Sequence, residues 1–473
     1  MLCLGLGIVL EYVLKVKMGF YQIPIVVAFM VSILVACLQN RSISFDEKLT
    51  LMGQGIGDKN IVTMILIFLA AGVFVGVTGR SSAEAVAYFL LSITPAKLAV
   101  AVLFVVACFV SMAMGTSVGT ITLLTPIAAA VAKDSGFSLP LCVASVMGGS
   151  MFGDNLSMIS DTTIAATRTQ GCEMGDKFRM NFLIVLPAAL LTVALLWFSA
   201  SGGTEVTLHD FELIRVLPYI AVLVLALTGL NAFIVLATGI LLSGLVGLFC
   251  GIPGADGQIV PYSLLRWGQD IYKGFTGMNE IMVLSMLIGG LGELIRYHGG
   301  IAWLLARVDG LARRLAGKSG GKGSSRVGES CIALLASLAD ICTANNTVAI
   351  IVAGDMARDV SHEYKVDPRR TASLLDIFSC VFQGIIPYGA QLLVASSLCN
   401  ATVTNGTTIS AANILGSLWY CWFLAAFGIL SIFIPFADGV CRKDPWNWEY
   451  DCAESNVAAK KALLEKEAAE AQQ

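Results

Sequence analysis

The chain has 473 residues, of which 56% are hydrophobic and 13% charged, with a net charge of −3. A soluble domain carries about 25% charged residues, so this composition excludes a soluble globular protein, and a mean hydropathy of +0.79 belongs to an integral membrane protein. The net charge says little, because in membrane proteins it is the placement of charge that informs.

In chain order, residues 1–14 are apolar but lack a basic n-region and an A-x-A-like cleavage site, so they read as a retained first helix rather than a signal peptide. Apolar stretches near bilayer length recur at 61–77, 182–198, 216–230, 232–249, 281–295 and 420–436. A spanning helix needs about 20 predominantly apolar residues, so several of these draw on their flanks. They do not alternate apolar with polar residues as barrel strands do, so the spans are helices. The thirteen cysteines are scattered singly with no C-x-x-C pair. That is the pattern of small buried apolar residues, not of a disulfide framework or metal site.

Two halves resemble one another in order. Each begins with a glycine-bearing helix, FLAAGVFVGVTG (68–79) and MLIGGLGELIRYHGG (286–300). Gly72, Gly76, Gly289, Gly290 and Gly292 read as packing surfaces, and Glu293 as half of an ion pair with Arg296. A polar knot of small residues follows, GTSVGT (115–120) and TANNT (343–347), then a short charged loop holding Lys133 and Asp134, or residues 358–370. A proline then opens an interrupted segment. The predicted plan is 1–59, N-terminal helices with a cytoplasmic amphipathic segment; 60–200, repeat 1, with its broken helix at 138–167; 201–277, linking helices; 278–437, repeat 2, with its broken helix at 369–398; and 438–473, a cytoplasmic tail.

Cytoplasmic loops concentrate Lys and Arg. Regions 40–60, 168–179, 296–330, 358–370 and the tail after 440 hold 22 of the 30 basic residues. Assigning them to the cytoplasm makes both termini cytoplasmic in a multi-pass protein of the cell inner (plasma) membrane. The loop after the first helix is poor in charge in half one (79–97) and the most basic stretch of the chain in half two (296–326). The exit of the interrupted segment is basic in half one (Arg168, Lys177, Arg179) and uncharged in half two. Equivalent ends therefore face opposite sides. The predicted fold class is an all-α polytopic membrane protein of two inverted-topology repeats, each with a re-entrant helical hairpin and a discontinuous transmembrane helix. That is a recurring plan of secondary transporters, with sites near the midplane.

Backbone in hydrocarbon must satisfy its own hydrogen bonds, so a broken helix is tolerated only within protein or beside water. The two knots read as hairpin tips entering from opposite sides. Thr116, Ser117, Thr120, Asn345, Asn346 and Thr347 would bring hydroxyls, carboxamides and freed carbonyls to the membrane centre, and oxygen-only ligation suits a hard cation. GDNLSMISDTT (153–163) reads as the unwound middle of the following helix, with Gly148, Gly149 and Gly153 allowing a broken backbone. Asp154 and Asp161 supply charge there, and Asn155, Ser157, Ser160 and Thr162 supply neutral oxygens. A carboxylate near the bilayer centre costs on the order of 2.5–3.5 kcal/mol, and such a group usually binds an ion or carries a proton. Na⁺ and H⁺ competing for one carboxylate, with alternating access, suffice for antiport. The plainer reading of Asp154 and Asp161 is as helix caps. Asp340 and Asp376 flank the second knot as ligands, proton carriers or charge partners, and Gln391 falls opposite Asp161 when the halves are aligned on Phe152 and Phe382.

These segments resemble the NhaC-type sodium/proton antiporter family, within the wider ion transporter superfamily. Its hallmark reads roughly T-G-T-S-W-G-T, then G-D-x-x-S-P-I-S-D-T-T, and the similarity continues through ADICTANNTVAI and VFQGIIPYGAQ. By position the resemblance implies ion or proton binding by Asp154, Ser157, Ser160, Asp161 and Thr162 and by Thr116, Ser117 and Thr120, with Na⁺ held by Asp154, Asp161 and hairpin-tip oxygens. It also implies a homodimer. Val118 stands where the family has tryptophan, and Met158 where it has proline.

The expected function is exchange of Na⁺ or Li⁺ for H⁺, without a cofactor, in contact with membrane lipid and a monovalent cation. The alternative is a Na⁺- or H⁺-coupled carrier of an organic acid or amino acid. A carboxylate substrate would want a cation or helix N-termini at its site; the predicted core holds no Arg or Lys, which favours the small cation. An intramembrane protease needs two carboxylates about 3 Å apart sharing a proton, which the sequence does not offer. His209, His298 and His362 form no metal-ligand spacing. A channel has no use for inverted halves. The basic run 313–326 reads as a cytoplasmic loop, not as a nucleic-acid surface.

Overall fold

The computed structural model describes residues 25–39, 42–93, 96–158, 160–199, 212–228, 230–253, 259–300, 325–402 and 409–443, with 303, 306, 307, 310, 445 and 446. The predicted helix at 1–14, His209, the run 313–324 and the tail beyond 446 lie outside them. The described chain is helical except for a two-residue antiparallel pair, β1 (Ile252–Pro253) with β2 (Ile259–Val260).

Helices α1 (Ile25–Leu38), α2 (Phe45–Ile56) and α3 (Lys59–Ile93) lead into a four-helix unit: α4 (Ala96–Met114), α5 (Ser117–Ser135), α6 (Leu139–Leu156) and α7 (Asp161–Gln170). Then come α8 (Met174–Ser199), α9 (Leu213–Leu227), α10 (Ala232–Cys250), α11 (Leu264–Gly277) and α12 (Asn279–Tyr297). A second four-helix unit is α13 (Ser325–Thr343), α14 (Asn346–Tyr364), α15 (Pro368–Ile385) and α16 (Ala390–Thr402). The described chain closes with α17 (Ala411–Leu415), α18 (Trp419–Phe433) and α19 (Gly439–Lys443). Among the described residues, Ile61–Thr78, Met174–Ser199, Phe233–Cys250 and Pro368–Thr402 are long and apolar enough to cross a membrane.

The two units share lengths and punctuation. α4, α5, α13 and α14 are 19 residues each, and α6 and α15 are 18 each. Between the first two helices of each unit one residue takes a left-handed conformation, Gly115 (φ 66°) or Ala344 (φ 50°). An extended N-cap follows: Thr116 accepts from the Gly119 N–H, and Asn345 from the Val348 N–H, each satisfying a donor that the first turn leaves orphaned. The second helix ends on another left-handed residue, Gly136 (φ 69°) or Lys365 (φ 55°). A proline in the first turn, Pro140 or Pro368, starts the third, where its missing N–H is no loss. That third helix stops at an extended Ser157 or Ile386.

The left-handed residues, the N-caps and the extended ends are each 229 residues apart (345 minus 116, 365 minus 136, 386 minus 157). The spacing sets Gln383 opposite Asp154 and Gln391 opposite Thr162. The alignment on Phe152 and Phe382 is therefore one residue out of register, because caps and not aromatic side chains mark equivalent backbone.

The break also lies later than the glycines suggest. α6 runs unbroken through Gly148, Gly149 and Gly153 to Leu156, and Ser157, Met158 and Ser160 lie outside the helices. The glycines instead let α6 lie backbone to backbone on α4: a Cβ on Gly149 would sit 2.3 Å from Phe104 O, and one on Gly153 2.6 Å from Cys108 O. The charged loops are helix ends. Lys133 is in the last turn of α5, while Arg369 and Arg370 are buried in the first turn of α15, paired with Asp367 (2.7 Å) and Glu329 (3.0 Å).

The halves cross over one another. α11 packs on α3, where Gly72 and Gly274 oppose each other so closely that a Cβ on either would lie 2.5 Å from the other's carbonyl oxygen. α2 packs on α12 in the same way through Gly55 and Gly289. Gly292 meets nothing within 4 Å, so it is no part of that surface. Arg296 Nε donates to Glu293 at 2.8 Å. Deeper in, α5 packs against α16 and α14 against α7, which brings both polar tips to one place.

Candidate functional site

Asp154 lies in the last turn of α6 and is 5% exposed. The negative end of a helix dipole is the wrong place for a capping carboxylate, which removes that reading. Two helix N-termini face it instead. Ser117, the first residue of α5, donates from Oγ to Asp154 Oδ2 at 3.0 Å. Asn346, the first residue of α14 and the 229-residue equivalent of Ser117, brings Nδ2 to the same oxygen at 3.5 Å. Gln391 Nε2 donates to Ser117 Oγ at 3.2 Å, and Gln383 Nε2 donates to Gln391 Oε1 at 2.6 Å and to Ala344 O at 3.1 Å. The donors thus point in series from Gln383 through Gln391 and Ser117 to the carboxylate, an arrangement in which each bond polarises the next. Two neutral acceptors beside this chain, Asn155 Oδ1 and Gln383 Oε1, are buried without a hydrogen-bond partner among the described residues. A buried carboxylate set among hydroxyl and carboxamide groups is chemistry for a hard monovalent cation or a proton.

A second buried carboxylate, Asp376 on α15, is ion-paired. Lys177, expected at a cytoplasmic exit, is 1% exposed with its Nζ 2.8 Å from Asp376 Oδ2. The same ammonium donates to Thr163 Oγ1 at 2.6 Å and Asn155 O at 3.0 Å. Asn181, one turn further along α8, donates from Nδ2 to the same Asp376 oxygen (2.7 Å) and to Asn155 O (3.0 Å), and its Oδ1 accepts from Ser373 Oγ at 2.6 Å. The expectation of a core without Lys or Arg is therefore wrong. The reason is physical: α6 ends at Leu156 and leaves the Asn155 carbonyl without an intrahelical donor, and a cation near a helix C-terminus satisfies it while neutralising Asp376. The sequence carries a signal for this, since Lys177 and Asn181 are four apart on one face of an apolar helix, whereas Arg179 on another face is 72% exposed.

The remaining predicted residues do local work. Thr116, Asn345 and Ser160 are N-caps. Thr120 Oγ1 donates to Thr116 O at 3.0 Å, Ser157 Oγ to Met112 O at 2.9 Å, and Thr162 shares a 2.6 Å hydrogen bond with Ser160. Asn155 Nδ2 donates to Met151 O at 2.9 Å, and the Thr347 N–H donates to Asn346 Oδ1 at 3.0 Å. Asp161 is exposed at the first position of α7, where a carboxylate complements the helix dipole. Asp340 on α13 is fully buried, and neither of its oxygens has a hydrogen-bond partner among the described residues. Lys177, Asn181, Ser373 and Gln383 were not foreseen.

Residues 5–200 match the Na⁺/H⁺ antiporter family. The chain is 25% identical over 320 residues to the malate-2H⁺/Na⁺-lactate antiporter of Bacillus subtilis, covering 62% of this chain and 68% of that one. It is 24% identical over 373 residues to the Na⁺/H⁺ antiporter NhaC of the same organism (72% and 79%), and 23% over 407 residues to NhaC of Alkalihalophilus pseudofirmus (80% and 84%). Among solved structures it is similar to the Alcanivorax borkumensis YdaH transporter, at 12% identity and a TM-score of 0.41 over 84% of this chain and 88% of that one. Both polar segments of the first unit fall inside the matched region, and the likeness to the two NhaC proteins runs over most of their length, so the chain is similar to NhaC-type Na⁺/H⁺ antiporters in sequence.

Proposed function

We propose that this multi-pass membrane protein exchanges Na⁺ for H⁺, with cation and proton competing for Asp154. The family matched over residues 5–200 is one of transporters, not of enzymes. The observation that carries the reading is the meeting of Ser117 and Asn346, equivalent residues of the two units, on one buried carboxylate. Na⁺ held by Asp154 and the neutral oxygens around it expels the proton, and protonation expels Na⁺. A site that opens to one side at a time then exchanges one for the other.

The two units are read as inverted repeats with re-entrant hairpins. The constant spacing of 229 residues, the contrast between basic and charge-poor equivalent loops and the crosswise packing of α5 on α16 and α14 on α7 support this. Asp161, exposed at the start of α7, meets the ion on its way to Asp154. Inner-membrane location, cytoplasmic termini and a homodimer belong to the same reading, the last on the family resemblance.

A carrier of organic acids is the second reading, since a malate/lactate antiporter is 25% identical. Lys177 is the cation that a carboxylate substrate would seek. Its three N–H donors, all an ammonium has, are engaged by Asp376, Thr163 and Asn155, so none is left for a substrate. Na⁺/H⁺ exchange stands.

The test uses proteoliposomes with an acidic interior and an internal pH dye. External Na⁺ should collapse the gradient with the wild type, fail with Asp154→Asn and still act with Asp161→Asn. No response of the wild type to Na⁺ or Li⁺ would end this reading and turn the assay to malate, lactate and amino acids.

A further inference from the structure

Asp340 lies one turn before the left-handed Ala344 at the second hairpin tip and is 0% exposed. Among the described residues neither carboxyl oxygen has a hydrogen-bond partner, and no Lys or Arg forms an ion pair with it. The titratable groups within its electrostatic reach are Cys342 on the same helix and Tyr388 at the break between α15 and α16. Tyr388 turns its hydroxyl elsewhere, donating to Ile341 O at 2.6 Å. Asp376, just as deeply buried, holds Lys177 at 2.8 Å; Asp340 has no such counter-charge among the described residues. An ionised carboxylate buried without a donor or a counter-ion is among the costliest arrangements in a protein interior, and a proton removes the cost. The equivalent position in the first unit, 229 residues earlier, is Ser111, whose hydroxyl donates to Ser150 O at 2.6 Å. A carboxylic acid donates as serine does, whereas a carboxylate only accepts.

We infer that Asp340 is a second proton-binding site, separate from Asp154, loaded from and unloaded to water in each transport cycle. The hairpin tip joins the two sites. The Ala344 N–H donates to the Asp340 carbonyl at 2.7 Å, and the Ala344 carbonyl accepts from Gln383, the start of the donor series that ends on Asp154. Asn346, two residues beyond Ala344, contacts Asp154 itself. A cation that repositions Asn346 therefore moves the arm that carries Asp340 and opens its carboxyl to water. Loading transfers a proton from water to a carboxyl oxygen, and unloading returns it to water on the other side.

The protonation half of this inference rests on burial, and the transport half rests on the exchange reading above. The experiments separate them. At neutral pH, infrared spectra of the purified protein should show a protonated-carboxyl C=O band that Asp340→Asn abolishes and that Asp154→Asn with saturating Na⁺ retains. In weakly buffered proteoliposomes given a Na⁺ pulse, Asp340→Asn should halve the number of protons released per Na⁺ taken up. No band lost in Asp340→Asn overturns the inference. A band lost with an unchanged proton count overturns the transport role. Asp340→Ser, which restores the residue of the first unit, gives the same readouts should the Asn variant fail to fold. A wild type that exchanges no protons for Na⁺ refutes the exchange reading, and the infrared band then still decides whether Asp340 holds a proton.

Discussion

Lys177→Met removes the ammonium and keeps most of the length of the side chain. Three contacts go with it, to Asp376 Oδ2, Thr163 Oγ1 and Asn155 O at 2.8, 2.6 and 3.0 Å. Asn181 still donates to Asn155 O and to Asp376, so the helix-end carbonyl stays paired. The lost bond to Thr163 is worth about 0.5–1.5 kcal/mol. Leaving Asp376 charged, buried and served by a neutral carboxamide costs about 3–5 kcal/mol, so the charge decides. The double variant Lys177→Met/Asp376→Asn removes both charges at similar volume, a change that is often neutral or stabilising. It should return to within about 1 kcal/mol of the wild type, with a coupling near the upper end of the roughly 0.5–3 kcal/mol seen for contacting residues. Reversible unfolding in mixed micelles measures all three proteins. A single variant as stable as the wild type, or a double variant no better than the single, would refute the claim that this pair ties α8 to α15.

Gly153→Ala would set a methyl 2.4 Å from Ser111 Cβ and 2.6 Å from Cys108 O, and the same unfolding measurement should show a loss of about 1–3 kcal/mol from overpacking. Gly175→Ala, with nothing within 4 Å, should change stability by no more than about 0.5 kcal/mol or raise it slightly. Gly136→Ala, at φ 69°, should lose about 1–2 kcal/mol to the left-handed clash of Cβ with the following carbonyl. The Cys172 thiol, between α7 and α8, is pushed up to about 12 by its burial, with Asp176 and Asp367 adding to the shift. Because the thiolate is the nucleophile, maleimide labelling mapped by mass spectrometry should be slow at neutral pH. It should keep rising about tenfold per pH unit beyond the point, near 8.5, where an ordinary thiol levels off. A plateau near pH 9 would contradict the burial.

The polar tips, the polar stretch where the third helix of the first unit stops and the burial of Asp154 were legible in the sequence. Small polar residues that interrupt an apolar run in a membrane chain must face protein, water or an ion, because lipid offers their backbone no hydrogen bonds. Lys177 was not legible, for a local reason. Between Asp176 and Phe178 it reads as one of three basic residues at a cytoplasmic exit, and only the fold shows that α6 has stopped beside it with a carbonyl to satisfy. The one-residue register error came from trusting Phe152 and Phe382, which fill space. Thr116 and Asn345, which fix backbone, carried the correct register. Asp161 and Asp154 look alike in sequence, yet one begins a helix in the open and the other ends a helix in the interior, and that difference belongs to where the chain bends.

The crossing of α3 by α11 and of α12 by α2 sets an order of assembly. Gly72 cannot find its seat until Gly274, about 200 residues downstream, has been made, which at about 5–20 residues per second is a wait of roughly 10–40 s. Through that interval the glycine face of α3 lacks the backbone it packs against in the finished fold. The newborn protein matures only when its second half arrives to grip its first, so a stalled or truncated chain is left ungripped at a surface made for backbone contact.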